Sequence, residues 1–133
     1  MEVVTEQAAL LSNYEVLTLL RANSQPKTRS KAQALQDLRT IEYETIKYLE
    51  ALPCGSQSQE QIQAFLSAIK TWNLSKGEKL MLLNLRPISA VELNTVIEEC
   101  SSRFTDEQQA EILQILDETL PYTRPAPPQP MAE

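Results

Sequence analysis

One spacing constrains this chain more than any other: Ser or Thr, then Glu or Gln three residues later, with apolar residues behind at helical intervals. It occurs at Ser12/Glu15, Ser58/Gln61, Ser75/Glu78, Ser89/Glu92 and Thr105/Gln108. In such a pair the hydroxyl accepts from the third backbone N–H of a helix, and the Glu or Gln side chain reaches back to the N–H of the cap. Two donors that every helix start leaves orphaned are thereby satisfied. A single match is common by chance, so the apolar stripes behind the matches carry the weight. Ile62, Phe65, Leu66 and Ile69 follow Ser58 at i, i+3, i+4 and i+7. Leu93, Val96, Ile97 and Cys100 repeat that spacing after Ser89, and Ile112, Leu113, Ile115, Leu116 and Leu120 follow Thr105. Leu80-Met81-Leu82-Leu83, after Ser75, is apolar nearly all round, which predicts a helix buried on most sides. Tyr14, Val16, Leu17, Leu19 and Leu20 mark the Ser12 helix. A sixth helix is expected at about 39–52, with Ile41, Thr45, Tyr48, Leu49 and Leu52 on one face and Pro53 and Gly55 ending it.

These signals describe an all-α protein. Strand character is confined to Glu2-Val3-Val4-Thr5, too short to build a sheet alone and able to act as a strand only at another chain's edge. Residues 23–38 hold Pro26, Lys27, Arg29 and Lys31 and read as a flexible basic linker. Residues 122–133 carry Pro125, Pro127, Pro128 and Pro130 and read as a disordered tail. The chain thus divides into an N-terminal docking segment at 1–22, the linker, a five-helix bundle at 39–121 and the tail. The helices of 58–121 span too few residues for a comfortable core, so the 39–52 helix is expected to complete the bundle.

The 1–22 segment poses the main physical problem. A single amphipathic helix of its length is marginal alone in water. Val3, Val4, Leu10, Leu11, Tyr14, Leu17 and Leu20 must be covered, by the bundle or by a partner. The length of the linker and the missing second strand favour a partner, gained through apolar burial and strand addition.

Composition removes most catalytic readings. The chain has no histidine, so His-paired nucleophiles, imidazole proton shuttles and His-containing metal sites are excluded. Its only glycines are Gly55 and Gly77, which cannot form a phosphate-cradling loop. Cys54 and Cys100 lie far apart and suit a reducing compartment, with Cys100 on a core stripe and Cys54 a loop thiol. A net charge of −6 argues against unaided duplex DNA binding. No apolar run approaches the ~18 residues of a membrane span, and the first residues lack a signal-peptide layout. Glu98-Glu99, Asp106-Glu107 and Asp117-Glu118 read as solvated or helix-start acids. Trp72 reads as a core plug. Lys27, Arg29, Lys31 and Arg39 lack the interleaved aromatics of a single-strand platform. Arg86-Pro87 breaks a helix, since the residue before proline avoids the α region, and Asn84 is placed to cap carbonyls there. No cofactor or metal is expected.

Five stretches carry a family resemblance. Lys79-Leu80-Met81-Leu82-Leu83-Asn84-Leu85-Arg86-Pro87, then Ala90-Val91-Glu92 and Arg103-Phe104-Thr105-Asp106-Glu107-Gln108, resemble the small subunits of the RNA polymerase stalk. Leu10-Leu11-Ser12-Asn13-Tyr14-Glu15-Val16 and Thr40-Ile41-Glu42-Tyr43-Glu44-Thr45-Ile46-Lys47-Tyr48 narrow the likeness to the polymerase III branch, the calcitonin-gene-related-peptide receptor component protein family. The likeness covers roughly residues 1–121. Asn84, Arg86 and Pro87 form its most specific motif, a structural hinge.

The resemblance implies an HRDC-like helical bundle preceded by a helix that docks on a larger stalk subunit with an OB barrel. It implies a nuclear, non-catalytic role in the RNA polymerase III core assembly, supporting initiation at small-RNA genes through transcription initiation factors. Where such proteins often carry an acidic extension, residues 122–133 are proline-rich. Two other readings stay open. One is a free helical adaptor or peptide-receptor accessory with 1–22 folded on the bundle. The other is a nucleic-acid module, which the acidic charge disfavours.

Overall fold

The computed structural model describes residues 2–24, 33–120 and 122. Among them the elements are helical and there is no strand. Helices run at Asn13–Asn23 (α1), Gln33–Glu50 (α2), Gln59–Ile69 (α3), Lys76–Leu85 (α4), Ala90–Val96 (α5), Cys100–Arg103 (α6) and Asp106–Thr119 (α7), with a 3-10 turn at Pro53–Ser56. Lys27, Arg29, Lys31 and the prolines of the tail lie outside the described residues.

The caps stand where the spacing places them. Ser12, Ser58, Ser75 and Thr105 each close a full reciprocal box. Ser89 closes half of one. Its hydroxyl accepts from Glu92 N–H at 3.3 Å, while the Glu92 carboxylate accepts from Ile88 N–H at 2.8 Å instead. Each such cap contributes about 1 kcal/mol.

The stripes build the larger core. Ile62, Phe65 and Ile69 of α3 meet Ile112 and Leu116 of α7, with Leu82, Leu83, Leu93, Ile97, Cys100 and Phe104 around them. The stripe after Ser89 is not one helix. Ile97 is extended and Glu99 takes left-handed backbone at φ 49°, ψ 38°, so α5 and α6 are separate turns that still bury Leu93, Ile97 and Cys100. Trp72 packs on the rim of this core, 5.9 Å from the ring of Phe104.

Helix α2 departs from expectation in three ways. It begins at Gln33, so residues 33–38 of the expected linker are helical. It packs against α1 and the 3-10 turn rather than completing the α3–α7 bundle. Its buried contact is Leu49, with Ile46 partly buried and Leu52 just past its end also partly buried, while Ile41 and Tyr48 of the expected core face are exposed. Together α1, α2 and the 3-10 turn form a second small core around Leu17, Leu49 and Cys54. Cys54 is therefore a core residue, not a loop thiol, and its Sγ–H donates to the Leu49 carbonyl at 3.1 Å. Gly55 makes the turn possible, because a β-carbon there would sit 2.3 Å from the Glu50 carbonyl oxygen.

Several direct contacts join the cores, two of them made by Gln57 and Tyr14. Gln57 Nε2 donates to the Leu83 carbonyl at 2.8 Å, and Tyr14 packs on both clusters.

Candidate partner-docking site

The site begins where α1 begins. Ser12 is buried, its hydroxyl accepts from Glu15 N–H at 3.2 Å, and its own N–H donates to Glu15 Oε1 at 3.2 Å. The next donor, Asn13 N–H, is taken by Asn84 Oδ1 of α4 at 2.9 Å. Asn84 thus caps the start of α1 from across the molecule, not the carbonyls at the end of its own helix. This contact fixes the point at which residues 2–11 leave the folded body.

Upstream of that point the apolar side chains face outward. Val3 is 70% exposed, Val4 94%, Leu10 70% and Leu11 41%. Glu2–Thr5 is neither helix nor strand in the isolated chain. The helical members of the expected contact set behave differently. Leu17 is fully buried against Leu49 and Cys54, and Tyr14 and Leu20 are half-buried beside them. Leu17 shapes α1 from within and has no surface left to offer; the outward-facing set is Val3, Val4, Leu10 and Leu11.

A second exposed apolar strip includes Ile41 and Tyr48, which the sequence reading placed on the inward face, and Leu38, which it did not single out. Leu38, Ile41 and Tyr48 lie at i, i+3 and i+10 along α2 and are all exposed. The signal was present: α2 carries this stripe beside the inward one of Ile46 and Leu49. Periodicity shows that both stripes are apolar and cannot say which faces the core.

The hinge motif is held by one guanidinium. Arg86 ends α4 with left-handed backbone at φ 45°, ψ 67°, its N–H donating to the Leu82 carbonyl at 2.9 Å. Its Nε–H donates to the Leu120 carbonyl, one amino group to the Pro87 carbonyl at 2.9 Å, and the other to Asp117 Oδ1 at 3.2 Å. The Arg86 side chain is 2% exposed and that of Asp117 84%. Asp117 is therefore not a purely solvated acid, since one oxygen reaches a buried cation. Pro87 is fully buried. Arg86 thus locks the end of α4 to the end of α7, while Asn84 ties α4 to α1.

A second arginine closes the opposite end. Arg103 donates to Glu78 Oε1 at 2.6 Å and to the carbonyls of Asn73 and Glu98 at 2.7 Å and 3.0 Å. It also lies over the Phe104 ring. The Glu98 carbonyl is available because the chain breaks between α5 and α6. The Arg103 hydrogen bond, working against partial burial, lowers the Glu78 carboxyl from 4.5 to about 2. Burial pushes both cysteine thiols up, Cys54 and Cys100 alike, so neither is an activated nucleophile.

Among the described residues no group of three or more metal-capable side chains converges, and no helix is long and apolar enough to cross a membrane. Arg39 lines a shallow depression with Arg21, Glu42 and Tyr43, where Arg21 pairs with Glu50 at 2.9 Å. The arrangement offers apolar burial beside a rigid two-helix layer. Among the described residues it places no nucleophile beside a base and no phosphate cradle.

The sequence matches the RNA polymerase Rpb4 family over residues 10–120. It is 32% identical to the DNA-directed RNA polymerase III subunit rpc9 of Schizosaccharomyces pombe, over 91% of this chain and 100% of that protein. It is 31% identical to the subunit of the same name in Dictyostelium discoideum, over 74% and 75% of the two chains, and 25% identical to that of Saccharomyces cerevisiae, over 87% and 98%. The match spans both cores, from the residues before the α1 cap to the carbonyl that receives Arg86, and the chain belongs to the RNA polymerase Rpb4 family.

Proposed function

We propose that this chain is the small stalk subunit of RNA polymerase III, a nuclear, non-catalytic protein that docks on the larger stalk subunit and supports initiation through contacts with initiation factors. The family match and the polymerase III names of its relatives support the assignment. The observation that carries the docking is the row of exposed Val3, Val4, Leu10 and Leu11 running out of a clamped helix start. Burying each fully contributes about 1.5–3 kcal/mol. In the complex Glu2–Thr5 gains main-chain partners by adding to an edge of the larger subunit, and the outer strip of α2 extends the apolar contact.

The adaptor reading expects residues 1–22 folded on the chain's own helices. Helix α1 does so through Leu17, whereas residues 2–11 do not, which favours an external partner for them. Co-expression with the larger stalk subunit tests the docking. Val4→Asp with Leu10→Asp should abolish co-purification, and Val91→Asp, at an exposed site on the bundle, should leave it intact. Normal assembly of the double variant would refute the docking role.

A further inference from the structure

A groove between α3 and α4 lies on the larger core. Its floor is Ile62, Leu66, Leu80 and Leu83, its rim is Lys76 and Lys79, and Ser12 and Glu15 close one end. Its volume is about 240 Å³, below the ~300–1,000 Å³ of small-molecule pockets. Both buried and exposed side chains contribute to the floor, since Ile62 and Leu83 belong to the core while Leu66 is open to solvent.

The charge of this rim is unusual for an acidic chain. Among the described residues neither Lys76 nor Lys79 has an ion-pair partner. Glu78, their neighbour on α4, is turned away: one oxygen accepts from Arg103 at 2.6 Å and the other from Ser75 N–H at 2.8 Å. Glu15, at the closed end, keeps its negative charge and is held there by one oxygen, Oε1, which accepts from Ser12 N–H at 3.2 Å. Along α4 the rim therefore presents two ammonium groups beside an aliphatic floor, with the single carboxylate of Glu15 at the closed end.

We infer that the α3–α4 groove is a docking site for a short acidic protein segment, whose aliphatic side chains enter the groove while its carboxylates meet Lys76 and Lys79. Nucleic acid fits less well. The floor has no aromatic ring on which a base can stack. The inference does not rest on the stalk reading and uses none of Val3, Val4, Leu10 or Leu11.

The test uses the full chain, methyl-labelled at leucine and isoleucine for NMR. Three probes are titrated: a synthetic peptide of leucines and glutamates, its counterpart with lysine for every glutamate, and an oligouridylate. The Leu66, Leu80 and Leu83 methyls should shift with the acidic peptide alone. Lys76→Glu with Lys79→Glu should weaken that binding at least about tenfold. Acids in the first turn of a helix suit its dipole, so this variant keeps its fold, and its unperturbed Ile112 methyl verifies that. Absence of shifts at the groove, equal response to the basic peptide, the same shifts with the oligouridylate, or self-association through the groove without peptide would each overturn the inference.

Discussion

Arg86→Ala should destabilise the chain by about 3–5 kcal/mol. The guanidinium is 2% exposed and donates to the carbonyls of Leu120 and Pro87 in a buried setting. Hydrogen bonds from a charged donor contribute about 1.5–3 kcal/mol each, and their loss leaves two carbonyls without partners. The ion pair adds little, because the Asp117 side chain is 84% exposed and water replaces the cation there. Asp117→Ala should therefore cost less than about 1 kcal/mol. The backbone supplies a second comparison. Arg86 holds φ 45°, a left-handed conformation that a β-carbon opposes by about 1–2 kcal/mol. Arg86→Gly loses the same hydrogen bonds but escapes that strain, so it should be about 1 kcal/mol more stable than Arg86→Ala. Urea unfolding followed by circular dichroism, with slopes checked for equality, measures all three variants. The reasoning fails if Arg86→Ala costs under about 1 kcal/mol, or if Asp117→Ala costs as much.

Glu78 links stability to acid. Its folded carboxyl titrates near 2, below its ordinary 4.5, so the Arg103 pair contributes fully above about pH 4.5 and is lost as pH falls toward about 2. Across that window Glu78→Gln should show a flatter decline in urea midpoint than the parent chain. The two glycines should respond with opposite signs: Gly55→Ala is destabilising, because its β-carbon meets the Glu50 carbonyl at 2.3 Å, while Gly77→Ala gains about 0.5–1 kcal/mol, its nearest neighbour being Ser75 Oγ at 3.9 Å. Thermal melts separate them. Asn84→Ala removes the acceptor of Asn13 N–H, and hydrogen exchange at Asn13 and in the first turn of α1 should accelerate while α7 stays protected.

Local features were the most legible. Every Ser or Thr cap was visible because a capping box is a contact between residues three apart. The core of α3 and α7 was visible because each has one dominant apolar stripe. What stayed hidden depends on distant partners. Asn84 could be seen as a polar residue near a helix end, yet its bond goes to Asn13. Gln109 interrupts an apolar face and was unreadable as a core residue, although it is buried, donating to the Phe104 carbonyl at 3.1 Å and accepting from Asn94 at 3.0 Å. Helix α2 was placed in the wrong layer because its two adjacent stripes are both apolar, and only α1 decides between them. The docking segment was half legible. The excess of apolar surface before α1 could be counted, but the burial of Leu17 within the chain could not.

Amide hydrogen exchange on the chain alone and on its complex with the larger stalk subunit tests the docking directly. In the free chain the amides of α1 from Leu17 onward should already be protected, and those of residues 3–11 should exchange at nearly unstructured rates. In the complex residues 3–11 should slow by orders of magnitude. Unchanged exchange at Val3, Val4, Leu10 and Leu11 in a fully assembled pair would contradict the account.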